Sequence, residues 1–268
     1  MAAEATTQGK DPLTRVFDGV LSVFENIGTT VTLTGQTLIW TFRRPFRFSQ
    51  VLAAMDFIGY QSIFIVGLTG TFSGMVLSLQ MTHALRAFSA EGRVGGVVAV
   101  SLTREVAPVF AAIMVAARAG SAIAAELGNM RVTEQIDAIA TMGVSPVQYL
   151  LTPRLLASVI MVPLLCILYA SVGMIGAYLV AVGLLGGDPG VFMQSIRDTA
   201  VPADIFMGVG KALVFGFLIS AISCRHGFFA AGGARGVGVA TTRAVVQSCV
   251  TLLIANYLLT QAMLGDAG

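Results

Sequence analysis

Charged side chains are scarce in this chain. Asp, Glu, Lys and Arg make up only 11% of its 268 residues, whereas 56% are hydrophobic and the mean hydropathy is +0.83. A soluble domain typically carries about 25% charged residues. A chain with so few polar groups cannot cover itself in water, so its composition predicts a protein whose solvent is a lipid bilayer. The net charge of +2 is also too small to favour nucleic acid as a partner.

Metal-binding and nucleotide-binding patterns are missing as well. The three cysteines and two histidines are scattered without metal-ligand spacing, so we expect no metal site and interpret the cysteines as small buried hydrophobic residues. The glycine-rich stretch GGARGVG at 232–238 lacks the GxxxxGK[ST] pattern and a preceding strand, and so does not predict a phosphate-binding loop. Residues 1–12 lack the basic and apolar regions of a signal peptide and are predicted to be a disordered lead.

Long apolar runs dominate the rest of the chain. They predict an all-α integral membrane protein with five spans, at about 57–85, 94–122, 155–187, 205–224 and 244–264, each long enough to cross a hydrocarbon core of about 30 Å. Residues 13–48 are apolar at helical spacing but too polar to span, and arginines mixed with aromatic residues follow at 40–47. This segment is interpreted as an interfacial amphipathic helix. The alternative is an ordinary helix packed on protein.

Two adjacent charges, Arg104 and Glu105, fall inside the second span. Charges in a bilayer cost about 2.5–3.5 kcal/mol each on insertion scales, so they usually face protein or a water-filled cavity. Neighbouring helix residues point about 100° apart, so each needs its own partner. Pro108 cannot donate to the carbonyl of Arg104, which leaves that acceptor free. The pair either braces the helices or contacts a polar ligand. Lys211 in the fourth span is a candidate charge partner, or else extends to the interface.

A polar island, Arg118 to Pro146, separates the second span from the third. We interpret it as a docking loop with a short helix at about 133–143, capped by Thr133 and ended by Gly143. Ile136, Ile139 and Ala140 form an apolar stripe suited to a groove on a soluble partner. The alternative is a helix that lies on the membrane.

The distribution of basic residues predicts the orientation. With the N-terminal helix inside, eleven Lys and Arg residues fall on inner segments and three, Arg86, Arg93 and Arg197, on outer ones. The positive-inside rule then puts the island and the N-terminus in the cytoplasm and the C-terminus outside. An odd number of spans offers no simple inverted repeat, so a symmetric site would come from two chains.

Several stretches resemble the MlaE/YrbE permease family, the membrane subunits of ABC transporters associated with MCE-domain proteins. They are GMVLSLQ at 74–80, SLTREVAPV at 101–109, the island at 118–146, PRLLA at 153–157 and ATTRAVV at 240–246. The resemblance covers roughly residue 51 to the C-terminus. It implies a homodimeric permease with one elbow helix and five membrane helices per chain. It also implies the bacterial inner membrane, so that the C-terminus on the outer side would lie in the periplasm.

The resemblance also implies partners and a site. The expected partners are a cytoplasmic ABC ATPase, an outer-side MCE-domain protein and a small STAS-type accessory subunit. Because the ATPase would bind the ATP and magnesium, this chain is expected not to be an enzyme and to hold no cofactor. Phospholipid is the implied cargo, moved between the inner and outer membranes. The implied lipid-binding residues are Leu77, Gln80, Leu85, Phe88, Arg104, Glu105 and Val106. The candidates for ATPase coupling are Glu126, Arg131, Glu134, Gln135 and Asp137.

Two other functions remain open from the residues alone. An ion-coupled secondary lipid transporter would use Arg104 and Glu105 for coupling. An intramembrane lipid-modifying enzyme would use Glu105, His83 or Lys211 as acid or base, although the sequence offers no nucleophile–base pair.

Overall fold

The structure, a computed structural model, describes residues 48–265 and six isolated helical positions before them, Gly28, Thr32, Leu33, Gly35, Thr37 and Ile39. The predicted lead over 1–12 and the predicted interfacial helix over 13–48 otherwise lie outside the described residues. The part of the chain that is described is helical and contains no strand. This confirms the predicted all-α fold class.

Ten α-helices follow one another from residue 48. They are α1 (Phe48–Ile58), α2 (Ile63–Arg86), α3 (Val94–Ser101), α4 (Ala107–Val115), α5 (Ser121–Val132), α6 (Gln135–Thr141), α7 (Thr152–Tyr178), α8 (Pro189–Thr199), α9 (Pro202–Phe228) and α10 (Gly233–Gly265). Short 3₁₀ turns lie at Tyr60–Ser62 and Glu91–Arg93, and π-helical segments at Leu102–Val106, Ala116–Gly120, Val147–Leu151 and Leu179–Leu184.

Five helical segments within the described residues are long and apolar enough to cross a membrane. The first to fifth spans are Phe48–Arg86, Glu91–Val132, Val147–Leu184, Pro202–Phe228 and Gly233–Met263. Their outward surfaces are rich in large apolar side chains, such as Phe64, Phe72 and Leu253. Such a surface suits lipid rather than water, and the protein is therefore a multi-pass membrane protein.

Most spans extend beyond their predicted limits. The second span continues to Val132, so Arg118, Glu126 and Arg131 lie on a helix rather than in a loop. The fifth begins at Gly233, eleven residues before its predicted start at 244. Glycine lowers helix propensity only by about 1 kcal/mol per residue, and packing of this segment against α5 offsets that cost.

The first and third spans approach each other closely. A Cβ atom on Gly74 would lie 1.9 Å from the carbonyl oxygen of Gly173, so only glycine fits there. The Ser78 hydroxyl donates to the carbonyl of Ala177 at 3.0 Å, one turn further along the same contact. Small residues thus let two backbones meet without a hydrophobic driving force, as is common in membranes.

Arg118 ties the second span to the break between α1 and α2. Its guanidinium donates to the carbonyl of Phe57 and, at 3.2 Å, to the side-chain oxygen of Gln61. The same guanidinium lies 5.1 Å from the centroid of the Phe57 ring. A carbonyl at a helix end needs a partner in a low-dielectric environment, and Arg118 supplies it.

Candidate functional site

A π-helical segment, Leu102–Val106, holds Arg104 and Glu105 within the second span. Pro108 follows two residues after the segment and has no N–H group to donate to the carbonyl of Arg104. Widened helical turns of this kind are frequent at functional sites. The local sequence therefore places two charges and one unused carbonyl at the same level of the molecule.

Lys211 of the fourth span lies against this segment and is fully buried. Its ammonium group donates to the Glu105 carboxylate at 2.6 Å, the Arg104 carbonyl at 3.1 Å and the Thr260 hydroxyl at 2.8 Å. An ammonium group has three N–H donors, so all three are used. The alternative that Lys211 extends to the interface is therefore wrong. The structure instead places its charge within the packed spans.

Arg104 pairs separately with Asp204 at the start of the fourth span. The Arg104 Nε donates to the Asp204 carboxylate at 2.6 Å, and the backbone N–H of Val201 donates to the other carboxylate oxygen at 3.0 Å. Each of the adjacent charges thus has its own partner, as the helix geometry requires. We call Arg104, Glu105, Asp204 and Lys211 the charge cluster.

The charge cluster has a closed side and an open side. The side chains of Asp204 and Lys211 are 2% and 0% exposed, whereas those of Arg104 and Glu105 are 36% and 40% exposed. The buried members hold the open ones in place. The cluster can therefore present both a guanidinium and a carboxylate to a ligand without breaking its internal pairs.

A second layer of polar side chains comes from the fifth span. The Asn256 amide donates to the Glu105 carboxylate at 3.2 Å, and the Thr260 hydroxyl lies 3.2 Å from the other carboxylate oxygen. These two residues are four positions apart and so share one helix face. They hold the Glu105 carboxylate from the fifth span.

Of the remaining predicted lipid-binding residues, Leu77, Gln80, Leu85 and Phe88 lie on or just after α2, and Val106 ends the π-helical segment. Leu77 and Leu85 are half-buried and pack in the core, and Val106 is half-buried beside Glu105. Gln80 and Phe88 are exposed, the latter to 81%. Within one chain, Gln80 and Phe88 therefore point away from the core, whereas Leu77 and Val106 pack against one buried cluster.

The island folds as the end of the second span followed by α6. Glu134 lies between them in the left-handed region, with φ of 60°, and Gly143 ends the segment at φ of 76°. Thr133 does not cap α6, because its hydroxyl donates to the Asn129 carbonyl in the preceding turn at 2.8 Å. The predicted cap is therefore wrong, since that hydroxyl serves the C-terminal end of α5 instead.

The apolar stripe of α6 faces its own chain. Ile136 is 2% exposed, and Ile139 packs against the same core, while Ala140 is exposed. A stripe that is already buried cannot enter a groove on a partner, so that part of the prediction is wrong. The free face of α6 carries polar residues and two alanines, and Met142 just after the helix is 72% exposed.

The five predicted coupling residues lie together at this end of the molecule. Arg131 pairs with Asp137 at 2.6 Å and Glu126 with Arg154 at 2.9 Å, whereas Glu134 and Gln135 are exposed. The two ion pairs fasten α6 and the third span to α5. Glu134 and Gln135 remain available on the free face.

Comparison of the sequence with known protein families identifies the family of this chain. Residues 51–262, which contain the charge cluster and the island, match the family model described as Permease MlaE. The chain belongs to the MlaE permease family. The match confirms the resemblance read from the sequence motifs.

Relatives of this MlaE family member come from distant organisms. A probable ABC transporter permease protein of Rickettsia bellii is 45% identical over 82% of this chain and 85% of its own length. The intermembrane phospholipid transport system permease protein MlaE of Haemophilus influenzae is 38% identical over 81% of this chain and 84% of its own length. The chloroplastic protein TRIGALACTOSYLDIACYLGLYCEROL 1 of Arabidopsis thaliana is 36% identical over 88% of this chain and 67% of its own length.

Three polar residues of the site, Asp204 of the charge cluster and Asn256 and Thr260 beside it, were missed from the sequence. Asp204 directly precedes the fourth span predicted at 205–224, yet it lies seven residues before Lys211 and so on the same helix face. Asp204 and Lys211 carry charges opposite to those of Arg104 and Glu105, so each can pair with one of them. The pairing of opposite charges between two apolar spans was the available signal.

Proposed function

We propose that this chain is the permease subunit of an ABC transporter that moves phospholipid between the inner and outer membranes. In this proposal an MCE-domain protein binds on the outer side and a separate ATPase supplies the energy. The observation that carries it is the charge cluster, which combines a partly open guanidinium and carboxylate with a buried scaffold inside apolar spans. The names of the Rickettsia and Haemophilus relatives support the same reading.

The cargo follows from the chemistry of the cluster. A phospholipid has an anionic phosphate and apolar chains, and a guanidinium binds phosphate with charge-assisted hydrogen bonds. Arg104 is already held by Asp204, so it would bind such a headgroup with little loss of side-chain freedom. Leu77 and Val106 would then contact acyl chains, and a second copy of the chain would complete a pocket that one chain leaves open.

The transport cycle is driven from the other end of the molecule. The free face of α6, with Glu134, Gln135 and Met142, is suited to a cytoplasmic ATPase. Ion pairs from α5 to Asp137 and Arg154 would pass movements of α6 to the second and third spans. We propose no ATP hydrolysis by this chain itself, and the inner membrane as its site with the N-terminus in the cytoplasm.

Purification of the tagged full-length chain from its own membranes tests this proposal. A nucleotide-binding subunit is expected to co-purify, and vesicles containing the complex should move a fluorescent phospholipid only when ATP is hydrolysed. Glu134→Arg should lower recovery of the ATPase at least severalfold, because it reverses a charge on the free face, while Asp198→Asn on α8 should not change it. Transport that follows an ion gradient with hydrolysis blocked would instead identify a secondary transporter.

A further inference from the structure

A cavity separate from the charge cluster opens between the fourth and fifth spans, and Gly35, one of the isolated described positions before residue 48, also lines it. It encloses about 1790 Å³, and three arginines, Arg225, Arg235 and Arg243, line it together with apolar side chains that include Phe217, Val246 and Ile254. No Asp or Glu is among its lining residues in the described part of the chain. We call this cavity the arginine groove.

The arginine groove lies at the same end of the molecule as α6. The turn between α9 and α10 packs on α5, since Gly227 meets Ala124 and Leu127, and Gly128 meets Ala230 and Val237. The charge cluster lies at the other end. Asp204 and Arg225 are 21 positions apart on one helix, which is about 30 Å at 1.5 Å per residue. A ligand of the groove is therefore distinct from cargo held at the cluster.

Two of the groove arginines are without an acidic partner in the structure. The ion pairs among the described residues involve neither Arg235 nor Arg243, and both side chains are exposed. They lie eight residues apart on α10, about 12 Å along its axis. His226 and Gln247 form a hydrogen bond of 2.6 Å on the wall of the groove. Among the described residues, no acidic side chain therefore neutralises the two arginines.

The walls of the groove distinguish its ligand from a small soluble anion. Val246 and Ile254 continue along α10 from the arginines toward the middle of the span, and both are more than half exposed. An apolar channel that begins at cationic groups at a membrane surface matches a lipid, whose headgroup is charged and whose chain is not. Basic pockets between spans on the cytoplasmic side bind anionic headgroups for this reason.

We propose that the arginine groove binds an anionic phospholipid of the leaflet on the α6 side. The headgroup phosphate would lie between Arg235 and Arg243, and one acyl chain would lie along Val246 and Ile254. That leaflet is the cytoplasmic one if the proposed orientation holds. The site would make the α9–α10 turn, which rests on α5 and so on the helix leading to α6, sensitive to anionic lipid.

Photo-crosslinking of a lipid to the full-length chain tests this site without any transport step. The chain is placed in phosphatidylcholine nanodiscs with a trace of photoactivatable phosphatidylglycerol. Crosslinks should map to residues 217–254, and unlabelled phosphatidylglycerol should compete better than phosphatidylcholine. Arg235→Gln and Arg243→Gln should each weaken competition about fivefold, since one arginine near the surface contributes about 1 kcal/mol.

Two further variants separate a built site from diffuse surface charge. Arg197→Gln, on α8 at the other end, should leave competition unchanged. Val246→Trp keeps every arginine but fills the channel, and should lower the crosslinking yield severalfold with an unchanged melting temperature. Equal losses with Arg197→Gln, no effect of Val246→Trp, or displacement by inorganic phosphate alone would each overturn the proposal. Because no ATP or partner is present, a failed transport assay would leave this result intact.

Discussion

Glu105 and Lys211 are unequal members of their ion pair. Lys211 is fully buried, whereas the side chain of Glu105 is 40% exposed. Loss of Glu105 therefore leaves a cation inside the spans, whereas loss of Lys211 leaves an anion that still has an open side. Breaking a buried pair from one side costs more than replacing both members by apolar residues.

This asymmetry predicts how three variants rank in stability. Glu105→Ala should lower the free energy of unfolding by about 3 kcal/mol, at the lower end of values for buried pairs because Glu105 is partly open. Lys211→Met should cost less, and the double variant Glu105→Ala/Lys211→Met should recover most of the loss. Thermal unfolding in detergent measures the ranking. A double variant no more stable than Glu105→Ala would contradict it.

The same variants separate bracing from contact with cargo. If Glu105 acts on lipid, the double variant should be stable but should fail to transport a fluorescent phospholipid with the ATPase present. Recovery of both stability and transport would show that the pair only holds the spans together. This choice was left open by the sequence, because a charged pair inside a span is compatible with either role.

Predictions about single residues were successful where the geometry of one helix was sufficient to make them. The free carbonyl at Arg104 followed from Pro108, and the structure fills it with the Lys211 ammonium at 3.1 Å. Asp204 was missed because its partner is a hundred residues away in sequence, and nothing local distinguishes it from a loop acid. Tertiary pairing of that kind requires knowing which helix faces meet.

At the scale of helices, Gly208 sets the distance between the second and fourth spans. A Cβ atom on Gly208 would lie 2.2 Å from the Thr103 carbonyl oxygen, inside the π-helical segment. That contact brings Lys211, one turn later, next to Glu105. Two residues on, a Cβ atom on Gly210 would meet only the Met263 terminal methyl at 3.4 Å, an ordinary contact.

The two glycines therefore predict opposite effects of the same substitution. Gly208→Ala should force the spans apart, destabilise the protein by at least about 1–3 kcal/mol and weaken transport through displacement of Lys211. Gly210→Ala should be neutral or stabilising by up to about 1 kcal/mol, because alanine is the better helix former. Melting temperatures of the two variants give the comparison. Equal melting temperatures would show that the close approach at Gly208 is not required.

Helix limits were harder to predict than helices. The span count follows from apolar length, but the polar residues at 118–132 continue the second span because they pack against α9 and α10. The apolar stripe of α6 was recognised, but its direction was not. Ile136 faces the chain's own core, and periodicity alone does not say which surface a stripe will cover.

For the whole molecule, the two ends differ in the charged groups that they carry. Arg86 and Glu91 form an exposed ion pair at one end, whereas α6 and the arginine groove occupy the other. The unequal distribution of basic residues predicts that the second end is cytoplasmic. All three native cysteines are buried or half-buried, so they can be replaced to give a background for labelling.

Single exposed cysteines then test the orientation directly. In a chain without Cys166, Cys224 and Cys249, we expect a membrane-impermeant maleimide to label Ala87→Cys and Gln261→Cys in intact spheroplasts. Ala138→Cys on α6 and Ala231→Cys in the α9–α10 turn should react only after the membrane is opened, because both lie on the predicted cytoplasmic side. All four positions are exposed in the structure, so the difference in labelling reports the side and not burial. The reverse pattern would place α6 outside, where no ATPase could reach it, and would remove the basis for ATP-driven transport by this chain.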